Sequence, residues 1–307
     1  MMLAGKIVIS LRPRSARCSL DGIGETVTMQ PLVTAEDLAV ELSEAGPAGL
    51  VVLDVRWRLG GSPARADYLA GHLPGAAFAA LDVDLAGPPG AGGRHPLPEP
   101  ARLQDGLRRM GIRAGDRVVT YDGADMAAAA RAWWVLRWAG LTDVRVLDGG
   151  YRAWRAAGLP VTDEVPAPAP GDVVVRAGSL PVLDAAGAGR LTSDGILLDA
   201  RAAPRYRGET EPIDPVAGHI PGAVNAPAAA NLADDGRFRS PAELRARFAA
   251  VGADGSRPVG AYCGSGIVAA QQVLALAVAG VPAALYPGSW SEWITDPARP
   301  VATGDEA

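Results

Sequence analysis

Residues 218–224 read Gly-His-Ile-Pro-Gly-Ala-Val, and residues 71–77 read Gly-His-Leu-Pro-Gly-Ala-Ala. Three further blocks recur in the same order, about 140 residues apart. They pair 49–56 with 195–201, 117–123 with 258–264, and 146–154 with 285–293. A module of domain size has therefore been duplicated, and a chain of 307 residues is long enough for two such domains.

Each copy alternates short apolar runs with helical stretches. Unbroken apolar runs are typical of buried parallel strands, which predicts strands at Leu50–Val55, Arg117–Tyr121, Asp143–Leu147 and Val259–Tyr262. Helices are predicted at Ala35–Ala45, Ala101–Met110, Ala124–Ala139, Pro241–Val251 and Val268–Ala279. Because parallel strands need crossover connections, this pattern predicts an α/β fold with two tandem domains, each a parallel sheet with helices on both faces.

The domain boundaries follow from the repeat and from composition. We expect residues 1–32 to be an N-terminal extension that is either disordered or a start-site artefact, and residues 33–160 to be the first domain. Residues 161–180 form the predicted linker, because Pro166-Ala-Pro-Ala-Pro170 favours extended polyproline geometry over packed structure. The second domain is expected at 181–305.

Composition narrows the class of protein. The chain is 49% hydrophobic and 21% charged with a net charge of −5, which is typical of a soluble globular protein. No basic surplus indicates a nucleic acid or an anionic membrane as partner. The longest apolar stretch, near Val273–Val281, is shorter than the roughly 20 residues that a membrane span needs. The first 28 residues match a secretory signal poorly, because their apolar patch is short.

Cysteine and histidine usage indicates the compartment and excludes a metal centre. The two cysteines, Cys18 and Cys263, do not make a disulfide framework, so a reducing cytoplasm is expected. No CxxC or HxxxH spacing exists, and the three histidines are scattered along the chain. The sequence therefore predicts neither a metal site nor a cofactor.

The segment from Cys263 to Val268 is the predicted catalytic loop. Cys263 follows a predicted strand and precedes a helix, where open α/β sheets bind ligands. With positive φ at Gly264 and Gly266, backbone N–H groups would surround the sulfur, and the helix N-terminus would add positive charge. Both favour a thiolate nucleophile. The alternative is a cysteine that only packs behind a strand, but Asp122 at the matching position of the first copy shows that sulfur is not needed there.

The combination of these motifs resembles the two-domain rhodanese sulfurtransferases, from about Val33 to about Thr303. It includes the tandem blocks, Cys-Gly-Ser-Gly-Ile at 263–267 and Gly-Ser-Trp-Ser-Glu-Trp at 288–293. The resemblance implies an inactive first domain and a second domain whose cysteine takes a sulfane sulfur from a small-molecule donor. The resulting persulfide would pass the sulfur to a thiophilic acceptor such as cyanide, a thiol or thioredoxin. Asp122 agrees with an inactive first domain, since a carboxylate cannot form a persulfide.

The same resemblance indicates a donor. The loop after Cys263 is uncharged, which is similar to the 3-mercaptopyruvate sulfurtransferases, whereas thiosulfate enzymes tend to carry cations there. Arg205 or Arg207 is expected to bind the donor carboxylate or sulfonate. Two departures keep thiosulfate open as the donor. Ile267-Val268 stands where Val-Thr is usual, and Asp214 stands where a second arginine usually follows the one that matches Arg205.

In related enzymes, a serine that matches Ser265 belongs to a relay with a histidine and a carboxylate of the first domain. Ser265 is expected to donate to the ketone oxygen of the donor or to sulfur; the alternative is that it is only a small turn residue. The resemblance points to His72, with Asp67 near it in the sequence, as the relay partners. The alternative is that His72 and His219 are structural and bond the backbone where a strand meets a loop.

Two other classes of function share features with this sequence. Tyrosine phosphatases also place a cysteine loop at a strand-to-helix junction, but they need an arginine at the position that Ala269 occupies here. A non-catalytic rhodanese-like module, which carries sulfur or docks a partner, stays open as an alternative. The retained cysteine and glycines argue against it.

Overall fold

The computed structural model describes residues 30–45, 49–60, 64–123 and 125–305. Residues 1–29 of the predicted extension, which include Cys18, lie outside the described residues. Leu32, which was assigned to that extension, already belongs to the first strand. Within the described residues, none of the helices has the length and apolar character needed to cross a lipid bilayer.

The first domain is a five-stranded parallel sheet in the order β1-β5-β4-β2-β3. Its strands are β1 Leu32–Val33, β2 Leu50–Asp54, β3 Ala77–Phe78, β4 Arg117–Tyr121 and β5 Val144–Leu147. Its helices are α1 Ala35–Ala45, α2 Ala64–Ala70, α3 Leu81–Asp84, α4 Pro100–Arg109, α5 Ala127–Trp138 and α6 Gly150–Ala156. Apolar residues of α1 and α6 pack in one core cluster, and those of α4 and α5 pack in another.

The second domain repeats this arrangement with a four-stranded parallel sheet in the order β7-β6-β8-β9. Its strands are β6 Ile196–Asp199, β7 Val224–Asn225, β8 Val259–Tyr262 and β9 Ala284–Leu285. Its helices are α7 Ala185–Asp194, α8 Ala203–Tyr206, α9 Pro241–Ala249, α10 Ile267–Val278 and α11 Ser289–Trp293, with a 3₁₀ turn at Ala228–Asn231. A parallel bridge from Val182 to Leu285 takes the place of β1. The predicted fold class is confirmed.

A buried ion pair explains why two of the sequence blocks recur together. Asp54 ends β2 and accepts hydrogen bonds from Arg56, whose guanidinium also donates to the carbonyl of Gly71. The second domain repeats the pair with Asp199 and Arg201. Each pair thus ties the end of a central strand to the Gly-His block, and its bidentate geometry satisfies charges that burial would otherwise penalise.

The segment between the domains is extended, as predicted, but it is not free of packing. Gly171 donates to the carbonyl of Arg108, and Val173 donates to that of Ile112 and is buried. Further along, Arg176 donates to the first domain as well. The linker thus donates hydrogen bonds to backbone carbonyls at or just after the C-terminal ends of α4 and α5. Its proline-rich composition did not predict these contacts.

Helices α5 and α10 pack against each other across the domain interface. Their N-terminal turns are lined with small buried residues, among them Ala129, Ala130, Ala269 and Ala270. Such side chains allow helices to approach closely. The largest core cluster among the described residues includes both helices and therefore spans both domains.

Candidate active site

Cys263 lies at the junction that the sequence predicted. Strand β8 ends at Tyr262 and α10 begins at Ile267, so the loop between them sits at the carboxyl end of a central strand. The cysteine is 3% exposed and lines a cavity of about 710 Å³. Residues that share this cavity with it include Trp57, Arg94, Arg205, Ser265 and Gln271.

Gly266 gives the sulfur its hydrogen bond. It takes φ +81° as the N-cap of α10, and its N–H donates to Cys263 Sγ over 3.2 Å. A Cβ at this position would lie 2.3 Å from the carbonyl oxygen of Pro287. Both the backbone conformation and the close approach therefore require glycine.

Gly264 serves a different purpose from the one that the sequence predicted. It lies outside the left-handed region, so the expectation of positive φ is wrong for this glycine. A Cβ there would lie 3.0 Å from Arg94 Nη2 and 3.5 Å from both terminal nitrogens of Arg205. The missing side chain leaves room for two guanidinium groups next to the cysteine.

The segment that begins α11 turns the carbonyl oxygens of the loop away from the cavity. Trp290 N–H donates to the carbonyl of Cys263 over 3.0 Å, and Ser291 N–H donates to that of Gly264 over 2.9 Å. The hydroxyl of Ser289 accepts the N–H of Cys263 over 3.1 Å. With these carbonyls engaged behind the loop, the N–H of Gly266 faces the sulfur without a competing negative dipole.

The corresponding loop of the first domain holds a carboxylate. Met126 takes φ +62° as the N-cap of α5, the place that Gly266 has in α10. Its N–H donates to one Asp122 oxygen over 3.2 Å, and the N–H of Ala129 donates to the other over 3.0 Å. The duplicated loop therefore accommodates a negatively charged group at the position where the second domain has sulfur.

Ser265 contacts a histidine of the first domain, but that histidine is His95. Its Nδ1 lies 2.8 Å from the hydroxyl of Ser265, and its Nε2 lies 3.4 Å from a carboxylate oxygen of Asp82. Burial lowers the pKa of His95 to about 4, and the carboxylate of Asp82 opposes this. The imidazole is therefore neutral near pH 7. With the ring proton on Nε2 facing Asp82, Nδ1 accepts the hydroxyl proton of Ser265.

His72 does not contact Ser265, so the prediction that it is the relay histidine is wrong. His95 occupies that position instead. His72 is fully buried, with Nδ1 2.8 Å from the carbonyl of Tyr68 and Nε2 3.1 Å from that of Glu164. Both ring nitrogens thus lie within hydrogen-bond distance of main-chain carbonyls, to one of which the ring N–H donates, and this agrees with the structural alternative. Asp67 forms a surface ion pair with Arg58 and is not brought to Ser265 either.

No short motif marks His95 in the sequence. It lies in the stretch 87–96, which is rich in glycine and proline and links α3 to α4. The signal that could have found it is weak: it is one of three histidines, and it lies on a long loop of the domain that contains no cysteine. Loops of this kind often carry function.

Arg205 and Arg94 form an ion-pair cluster at the mouth of the site. Arg205 donates to Glu211 over 2.6 Å and to Asp214 over 3.3 Å. Arg94, from the first domain, donates to the other oxygen of Asp214. Arg205 was predictable from the sequence and Arg94 was not; Arg94 precedes His95 and reaches the second domain from the same loop.

The remaining predicted residues divide between the cavity and the surface. Ile267 and Val268 form the first turn of α10 and line the cavity. Arg207 does not line it. It pairs with Glu209 on the surface over 2.7 Å.

Comparisons with known proteins agree with this architecture. A family model described as the rhodanese-like domain matches residues 34–157 and 184–296. A "Putative thiosulfate sulfurtransferase SseB" of Mycobacterium tuberculosis is 50% identical over 283 residues, covering 90% of this chain and 98% of that protein. A "Probable 3-mercaptopyruvate sulfurtransferase" of Pseudomonas aeruginosa is 51% identical over 284 residues, covering 89% and 98%. The crystal structure of SseA from Escherichia coli, a 3-mercaptopyruvate sulfurtransferase with the rhodanese fold, superposes with a TM-score of 0.75 at 29% identity. That alignment covers 86% of this chain and 100% of SseA.

Proposed function

The chain belongs to the rhodanese family of sulfurtransferases, and we propose that Cys263 accepts a sulfane sulfur from 3-mercaptopyruvate and passes it to a thiophilic acceptor. One observation carries the proposal: Cys263 Sγ accepts the N–H of Gly266 in a cavity that Arg205 also lines. A backbone donor at a helix N-terminus stabilises negative charge on sulfur, both in the thiolate and in the persulfide. In this proposal the second domain, residues 181–305, carries the nucleophile.

The first half-reaction moves one sulfur atom. The Cys263 thiolate attacks the thiol sulfur of 3-mercaptopyruvate, an S–S bond forms, and the donor's C–S bond breaks. The electron pair of that bond leaves on the methylene carbon as the enolate of pyruvate, which takes up the proton that the donor thiol has released. Cys263 then carries a persulfide, and pyruvate departs.

Ser265 and His95 are suited to handle the proton of this step. The neutral imidazole of His95 accepts the hydroxyl of Ser265, and Asp82 holds the other side of the ring. The donor thiol releases its proton through the Ser265 hydroxyl to Nδ1 of His95; as the enolate forms, Ser265 gives a proton to the methylene carbon and takes this one back from His95. Asp82 stabilises the imidazolium that exists while the proton is in transit.

The charges around the cavity favour a donor with a single negative charge. Arg94 and Arg205 each present a guanidinium beside Gly264, but Asp214 and Glu211 already neutralise much of that charge. A carboxylate such as that of 3-mercaptopyruvate can accept hydrogen bonds from the outer guanidinium edges. Thiosulfate, a dianion, would bring its second charge close to two carboxylates. Thiosulfate remains the alternative donor, since the relative from Mycobacterium tuberculosis is named for it.

The second half-reaction returns Cys263 to its thiolate. The acceptor attacks the outer sulfur, the S–S bond breaks, and its electron pair stays on Cys263. Cyanide gives thiocyanate in this step. In the cell we propose a thiol acceptor, with thioredoxin as the protein candidate, and a reducing cytoplasmic compartment that keeps the thiol free.

Cyanolysis tests the proposal. The full chain is incubated with cyanide and either 3-mercaptopyruvate or thiosulfate, and thiocyanate is measured. We expect turnover with 3-mercaptopyruvate and a larger kcat/KM for it than for thiosulfate. Mass spectrometry after donor alone should show 32 Da added to the peptide that contains Cys263, the mass of one sulfur atom.

Cys263→Ser is the matched control, because it replaces sulfur with oxygen at the same position. It should lose turnover and the added mass while keeping its circular dichroism spectrum. Turnover that persists in Cys263→Ser would refute the role of this cysteine. A wild-type chain that releases thiocyanate from neither donor would favour the non-catalytic module.

A further inference from the structure

Arg131 reaches the catalytic loop from the first domain. It lies on α5 and is fully buried. One terminal nitrogen of its guanidinium donates to the carbonyl of Gly266 over 3.3 Å. The other donates to the carbonyls of His95, over 3.0 Å, and Pro96, over 3.3 Å. A single side chain thus touches the residue that donates to the sulfur and the residue that contacts Ser265.

The charge of Arg131 has no carboxylate partner. Among residues 30–305 as described, no Asp or Glu forms an ion pair with it, and its Nε has no hydrogen-bond partner. Burial lowers the pKa of Arg131 to about 10, and the charge of Cys263 opposes that effect. A fully buried cation without a carboxylate is costly, so it persists where another anion offsets the cost.

The duplication supplies an internal comparison. Gln271 lies five positions after the N-cap Gly266 of α10, as Arg131 lies five positions after the N-cap Met126 of α5. Gln271 donates across the interface to the carbonyl of Asp125, in the first-domain loop, over 3.2 Å. An amide is therefore sufficient to hold the opposite loop through a carbonyl. Of these two equivalent positions, the one that contacts the Cys263 loop carries a positive charge, and the one that contacts the first-domain loop does not.

We propose that Arg131 is a positioning residue that supplies, from the first domain, the positive charge that stabilises the anionic sulfur of Cys263. This inference rests on the proposed role of Cys263 as nucleophile. The guanidinium acts in the thiolate and in the persulfide, because both carry negative charge at the end of the same loop. The domain without a nucleophile thereby contributes to the reactivity of the other domain.

Other ionisable groups face the loop, and the arginines and the histidine among them differ from Arg131 in being paired or neutral. His95 is uncharged well above pH 4. The arginines on the cavity side, Arg58 included, are each held by carboxylates. Helix α10 carries no charged residue. The groups to be considered in a pH profile are Arg94, Arg201, Arg205, Asp82, Asp125, Asp199, Glu211, Asp214 and Glu292.

The pH profile of Cys263 alkylation tests the proposal without any sulfur donor. The full chain is treated with iodoacetamide between pH 5 and pH 10, and the peptide that contains Cys263 is followed by mass spectrometry. We expect the midpoint for Arg131→Gln to lie at least about one pH unit above that of the wild type, since a neighbouring opposite charge shifts such midpoints by about one to three units. Arg131→Lys keeps the charge and should stay within about half a unit of the wild type.

Arg137→Gln is the matched control. It removes a partly buried cation from the same helix, one whose charge partner is Asp143 rather than the loop. Its alkylation midpoint should equal that of the wild type. If Arg131→Gln does not fold, Arg131→Met takes its place, because it also removes the charge and keeps an unbranched side chain; an unchanged midpoint in that variant would overturn the proposal.

Two outcomes distinguish this inference from the proposed function. An Arg131→Gln variant with native circular dichroism and the wild-type midpoint would overturn the inference, even if the wild type turns over both substrates. A wild type that releases no thiocyanate would refute the proposed function, whatever its alkylation midpoint. A purely structural role for Arg131 would lower thermal stability and leave the midpoint unchanged.

Discussion

Asp214→Asn should shift the donor preference toward thiosulfate. Asp214 is buried between two guanidinium groups, with Arg205 Nη2 at 3.3 Å and Arg94 on its other oxygen. Asparagine has nearly the same shape, but only its Oδ1 can accept, so one of the two arginines keeps its hydrogen bond and the other faces the amide NH2. The substitution therefore removes one negative charge from the donor's surroundings and leaves one guanidinium without its carboxylate oxygen, and both changes favour a more highly charged donor.

The size of the shift follows from Coulomb's law. A guanidinium separates Asp214 from a bound donor, which places the two anions roughly 6 Å apart. Their repulsion is then about 0.7 kcal/mol per charge in a water-like medium and about 2.8 kcal/mol at an effective dielectric constant of 20. Thiosulfate carries one charge more than 3-mercaptopyruvate, so the ratio of their kcat/KM values should rise by roughly 3-fold to 100-fold. For a partly open cavity we expect about tenfold.

Cyanolysis with both donors measures this ratio at low ionic strength, where charge effects are largest. Glu209→Gln is the control, because it removes a carboxylate that pairs with Arg207 on the surface, outside the cavity. That variant should keep the wild-type ratio. An unchanged ratio in Asp214→Asn, with both rates measurable, would refute the view that Asp214 limits the charge of the donor.

Three further predictions concern the Cys263 loop, the histidine that contacts it, and the corresponding loop of the first domain. Gly266→Ala places a Cβ 2.3 Å from the carbonyl oxygen of Pro287 at φ +81°, so we expect thiocyanate release to fall about 100-fold and the melting temperature to drop; normal turnover would contradict the loop geometry. In the folded protein His95 has a pKa of about 4, against an ordinary value of 6.5. Its contribution to the free energy of unfolding is therefore complete above about pH 6.5 and is lost as the pH falls toward 4. In urea unfolding, His95→Gln should weaken this pH dependence. Asp122→Asn should cost about 1 kcal/mol of unfolding free energy, because it weakens the cap on α5, and should leave turnover within about twofold; a large loss of turnover would mean that Asp122 takes part in the chemistry.

The fold was predictable because its signals are local or repeated. Strands β4 and β8 and helix α1 have the bounds that the apolar runs predicted. The position of Cys263 followed from the same local reading, since a strand, a glycine loop and a helix occur in succession. The conformation of the loop was half predicted: Gly266 takes the left-handed conformation and Gly264 does not.

The partners of the cysteine loop were not predictable in this way. His95 meets Ser265 across 170 positions of sequence, and Arg131 meets Gly266 across 135. No periodicity within one segment encodes such contacts, because they depend on how the two domains dock. The blocks that repeat most clearly, around His72, instead serve the backbone of each domain. Sequence similarity between the copies thus pointed to structural residues, and the site residues of the first domain lie where the copies diverge.

The apolar core shared through α5 and α10 bears on how this protein folds. Because α5 and α10 bury each other, the two halves share the largest apolar cluster, and heating or urea should melt both in one cooperative transition. Producing the second domain alone would expose the apolar face of α10 and remove the first-domain side chains around the loop, which include Trp57, Arg94, His95 and Arg131. The copy that has Asp122 in place of the cysteine therefore still supplies half of the shared core and part of the surroundings of the loop.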